Sequence, residues 1–122
     1  DIRIVIGETF AEQLDNAQLA FTLAHELTHI LGQHYQKTIA KHKEINRLIS
    51  AHSGLGAESA VHMRNAFRRS LELEADREAA QWLLRSGYSL DNIEGLIKQL
   101  PEATGSEEGT YPTRQERLAL IR

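Results

Sequence analysis

The first apolar cluster of the chain, Ile2-Arg3-Ile4-Val5-Ile6, is rich in β-branched residues and stops at Gly7, which predicts one short strand. Beyond it the apolar positions recur at helical spacing. Leu19, Ala20, Leu23, Ala24, Leu27, Ile30 and Leu31 share one face of a helix. Asp15 or Asn16 caps it near Ala17, and it runs to about Tyr35. Lys37 to Arg47 is polar and basic and leads into a loop ending at Gly54-Leu55-Gly56. A long helix is predicted from Glu58 to Arg85, stopped by Gly87. Ser89 to Leu100 reads as a short capped helix ended by Pro101, and Pro112 or Thr113 opens a last helix. Glu102 to Thr110 is a surface connection, with a lid over a cleft as the alternative. The pattern predicts one α+β domain over residues 1–122, predominantly helical, with the strand at its start.

Composition acts mainly by exclusion. Fourteen Lys and Arg stand against seventeen Asp and Glu, a net charge of −3, so no excess of positive charge favours nucleic acid. Arg64, Arg68 and Arg69 read as a solvated basic face. The absence of cysteine excludes a disulfide framework, a thiolate metal site and a thiol nucleophile. No apolar run approaches the roughly 18 residues of a membrane span. The chain opens on Asp1 without a signal peptide, and we read it as a processed protein or the trimmed core of a longer one.

Candidate chemistry sits on the first long helix. His25-Glu26-Leu27-Thr28-His29 places two imidazoles four residues apart, one turn above each other, where both reach a single zinc. The Glu beside the first His is placed to activate a water there. With His25 at 0°, His29 falls at about 40° and Glu26 at about 100°, while the apolar residues fill the arc from about 120° to 260°. The motif therefore lies off the core stripe. His34, at about 180°, falls inside that stripe and reads as a packed histidine rather than a ligand. His42, His52 and His62 show no partner spacing and read as surface residues.

A third ligand is needed. The extended pattern HExxHxxGxxH fails because position 35 is Tyr35, and no Met-turn is available. The other solution is a Glu from a later helix, and Leu71-Glu72-Leu73-Glu74-Ala75-Asp76 contains two candidates. On the helical wheel Glu72 and Asp76 fall among apolar positions, whereas Glu74 falls on the polar arc. Carboxylates facing a core need a cation or strong donors to offset desolvation. A metal would supply this for Glu72, the alternative being buried salt bridges to Arg68 or Arg69. One turn on, Asp76 is placed to accept from the far nitrogen of a ligating His. Arg117 can pair with Asp76 or with substrate, the alternative being an ordinary exposed helical arginine.

Together, His25-Glu26-Leu27-Thr28-His29 followed by His34, and Glu72 with Asp76 inside Ser70 to Arg77, resemble the HtpX, BepA and CAAX prenyl protease family of zinc metallopeptidases. Arg85-Ser86-Gly87-Tyr88 and the tail Thr110 to Leu118 resemble further motifs of that family. The resemblance implies a zincin-like (gluzincin) core that binds one Zn2+ through His25, His29 and Glu72, with Glu26 as general base. It implies peptide or unfolded-protein substrates, and a cell-envelope or periplasmic location with membrane association of the full-length protein. Two departures stand out. Tyr111 replaces the His of the family tail, where a phenol can still donate to an oxyanion. The upstream strand that pairs with the segment matching Ile2 to Ile6 has no counterpart. The alternative function is a catalytically weak or latent zinc-binding module that binds peptides or a partner domain.

Overall fold

The computed structural model describes residues 1–52, 54–102 and 109–122. Among the described residues six helices follow one another: α1 (Glu8–Glu12), α2 (Asn16–Leu31), α3 (His34–Ala51), α4 (Ala57–Arg85), α5 (Leu90–Gln99) and α6 (Arg114–Ile121). None of them is long and apolar enough to cross a membrane.

Local chemistry sets the helix ends. Asp15 accepts from Gln18 N at 2.7 Å while the Gln18 side chain accepts from Asp15 N at 3.1 Å, a reciprocal cap that starts α2. Thr113 and Glu116 form the same arrangement at α6. Gly87 (φ +91°) ends α4, and Tyr88 N then donates back to Leu83 O at 3.0 Å.

Phe21 and Ala24 of α2 meet Ala79, Ala80 and Leu83 of α4 and Ile93, Leu96 and Ile97 of α5 in the core. The residues of α4 turned inward are mostly small, with Ala75, Ala79 and Ala80 all buried. Small side chains at a helix contact let the two axes approach closely. That closeness carries polar groups of α2 and α4 into hydrogen-bonding range. Both α3 and α6 also pack on α4.

Three expectations require correction. The strand over Ile2 to Ile6 is not seen. Residues 1–7 adopt neither helix nor strand, and Ile2 and Val5 are exposed. A strand is held by a ladder to a neighbour, and among the described residues no strand exists to pair with, so β propensity alone does not produce one. The described fold is therefore helical rather than α+β. Second, the helix expected to reach Tyr35 stops at Leu31. Gln33 takes a left-handed conformation (φ 53°), and α3 starts afresh at His34. Third, the loop expected from Ser50 to Gly56 begins later, because the helix through the basic stretch runs on to Ala51 and buries Ile45. Most of the expected Glu102 to Thr110 loop lies outside the described residues.

Candidate metal centre

One turn of α2 presents His25 and His29 to one turn of α4 that presents Glu72 and Asp76. His25 Nε2 lies 3.0 Å from His29 Nε2 and 3.1 Å from Glu72 Oε2. The other carboxylate oxygen, Glu72 Oε1, lies 3.3 Å from His29 Nε2. Glu72 thus pairs with the two imidazoles rather than with Arg68 or Arg69. A tetrahedral zinc with ligands at roughly 2.0–2.1 Å holds its donor atoms about 3.3–3.4 Å apart. The closest approaches among the three side chains, 3.0 to 3.3 Å, are near that spacing. Two neutral imidazole nitrogens also cannot face each other at 3.0 Å without a proton or a cation between them. The donor set, two imidazoles and a carboxylate, fits zinc chemically.

Behind this triangle each histidine has an outer partner. The far nitrogen of His25, Nδ1, donates to Asp76 Oδ1 at 2.9 Å. Asp76 is fully buried and accepts twice from Arg117, at 2.6 Å from Nε and 2.8 Å from Nη2. The far nitrogen of His29 meets His34 Nδ1 at 2.8 Å. His34 is 3% exposed, and its Nε2 stands 3.3 Å from Glu74 Oε2, off the line of a hydrogen bond.

The charges are strongly coupled. Burial would push the His25 pKa down, but hydrogen bonds to Asp76 and Glu72 outweigh it and raise the value to about 9. Burial would push the Glu72 carboxyl up, and the two imidazoles instead hold it far below the usual carboxylate range. Asp76 is likewise held down against its burial by His25 and Arg117. The His34 pKa is lowered by burial and by the nearby His29.

The triangle opens on a groove of about 740 Å³, lined among others by Glu26, His29, Arg68, Glu72 and Tyr111. Glu26 is exposed beside the donor set, and Tyr111 lines the same groove at 40% exposure. Thr110 holds the approach to Tyr111 by a 3.3 Å hydrogen bond to Asn65 of α4, and buried Pro112 follows it.

A family model, Peptidase family M48, matches residues 1–122. The chain belongs to peptidase family M48. That is the zinc metallopeptidase family to which the HExxH and ExxxD segments show their resemblance. No curated protein matches the chain, and no solved structure does.

For this M48 chain the structure gathers His25, His29, Glu72, Asp76 and Arg117 into one network, with Glu26 and Tyr111 on the adjoining groove wall. The link from His29 to His34 is absent from the sequence reading. A wheel continued at 100° per residue past Leu31 points His34 into the core stripe, whereas the turn at Gly32-Gln33 swings its ring back onto His29. Gly32 directly after the apolar run was the available signal. His42 also differs from expectation, being half-buried with its Nε2 shielded from solvent. His52 and His62 are exposed.

Proposed function

We propose that this domain is a zinc-dependent endopeptidase with His25, His29 and Glu72 as metal ligands. The supporting observation is the convergence of these three donors beside a groove that Glu26, His29 and Glu72 line. Bound there, zinc would polarise the scissile carbonyl and acidify the attacking water. The rest of the chemistry belongs to the side chains. Glu26 makes no hydrogen bond or ion pair among the described residues, so its carboxylate is free to take the proton of the attacking water and pass it to the leaving nitrogen. Tyr111 donates its phenolic hydrogen to the oxygen that gains charge at the scissile carbon. Asp76, itself held by Arg117, keeps the proton of His25 on Nδ1 and so presents Nε2 as a lone pair. The groove accepts an extended or unfolded polypeptide.

The open groove beside Glu26 favours this reading over a latent binding module, because a purely structural zinc site is closed and needs no adjacent base. Cleavage of casein by the zinc-loaded chain, beside Glu26→Gln at equal zinc content, tests it. Loss of cleavage in the variant with zinc retained is the expected result. Equal cleavage by both removes Glu26 from the mechanism, and zinc uptake without cleavage by either supports the module.

A further inference from the structure

The two histidines of the metal centre are supported differently. His25 leans on a buried carboxylate, whereas the outer nitrogen of His29 meets another imidazole, His34 Nδ1, at 2.8 Å. That contact lies on the side of His29 away from Glu72 and His25, so His34 is not a fourth donor. The two rings stand edge to face, with centroids 5.0 Å apart and planes at 77°. The ring packs tightly against the turn before it, since a Cβ on residue 32 would come within 2.6 Å of His34 Nε2. The left-handed turn at Gln33 and the missing side chain at Gly32 together let the first residue of α3 fold back over the end of α2.

We infer that His34 is a positioning residue of the metal centre, accepting the Nδ1 hydrogen of His29 on its own Nδ1 and thereby holding His29 Nε2 as a lone pair aimed at the metal. If the proton ran the other way, from His34 to His29 Nδ1, the neutral His29 ring would carry its hydrogen on Nε2 and could not ligate. In the inferred direction the contact favours the ligating tautomer of His29, and it orients the ring as an outer carboxylate does for other metal-bound histidines. The inference rests on His29 being a ligand, as proposed above.

The test compares His34→Leu and His34→Asn with the parent and with His29→Ala, all as the full chain. Zinc affinity is read by competition with a chelating dye, the cobalt-substituted absorption spectrum is recorded, and helix content is checked by circular dichroism. The oxygen of an Asn side chain stands as many bonds from Cα as the Nδ1 of His, so it can accept from His29 in the same place. Zinc affinity is expected to fall about 10- to 100-fold in His34→Leu, with an altered cobalt spectrum. His34→Asn should stay within about threefold of the parent and keep its spectrum. The inference is overturned if His34→Leu binds zinc as tightly as the parent, or if His34→Asn loses as much as His34→Leu while equally helical. Zinc uptake by the parent that is unaffected by His29→Ala would instead sink the ligand assignment and the inference with it.

Discussion

The carboxylate of Asp76 accepts from His25 Nδ1 at 2.9 Å across 51 positions of sequence. It does so with no exposure to solvent. A buried carboxylate in that place does two things at once. It orients a histidine of the proposed metal centre, and through Arg117 it ties α4 to α6. Function and stability are therefore coupled at one side chain.

Removing Arg117 should expose that coupling. In Arg117→Met, Asp76 keeps only His25 as a partner in a buried position. Breaking a buried ion pair from one side costs about 3–5 kcal/mol, and Arg117 keeps 19% of its side chain exposed, so a loss near the lower end is expected. Urea unfolding of the metal-free protein measures it, and a change under about 0.5 kcal/mol would place this pair among weak surface contacts.

Stability should depend on pH differently with and without metal. The His25 pKa is raised from 6.5 to about 9, so its contribution is complete below pH 6.5 and disappears as pH rises through about 9. Glu72 and Asp76 are lowered, so theirs is present above the ordinary carboxylate range and is lost as pH falls. The metal-free chain should be most stable near pH 5–6.5. Zinc takes the place of the His25 proton, so the alkaline loss should vanish in the zinc-loaded protein, and zinc binding near neutral pH should release about one proton. Thermal midpoints across pH, with calorimetry in two buffers of different ionisation enthalpy, check both statements.

Gly32→Ala should weaken the centre without touching a ligand. The added Cβ would meet His34 Nε2 at 2.6 Å and the backbone oxygen of Thr28 at 2.9 Å. The second neighbour is backbone and cannot swing aside. Overpacking of this kind costs about 1–3 kcal/mol, and zinc affinity should fall along with the thermal midpoint. An unchanged midpoint would show that the close approach at Gly32 is dispensable.

Tyr111→Phe isolates a single hydroxyl on the groove wall. If it donates to the developing oxyanion, kcat should fall by about 10²-fold with little change in KM or zinc affinity. Steady-state kinetics on a quenched-fluorescence peptide decides this, and an unchanged kcat would reduce Tyr111 to packing beside Pro112.

Most of what local rules control was legible in the chain. Asp15, Gly87, Ser89 and Thr113 mark helix ends because capping involves only near neighbours, and the His25–His29 spacing follows from the pitch of one helix. Periodicity also set Glu72 and Asp76 apart from Glu74, since charges on an apolar arc need partners. The sequence was misleading where the outcome depends on distant or absent neighbours. Ile2 to Ile6 has the composition of a strand, yet a strand exists only within a ladder. His34 is the packed histidine that periodicity predicts, but it faces His29 because helical phase does not survive a left-handed residue such as Gln33. Which Nδ1 meets which acceptor, and that Arg117 closes the network behind Asp76, follow from how tightly the small residues of α4 let α2 and α6 approach. Such distances are settled by packing between helices far apart in sequence, and no local pattern encodes them.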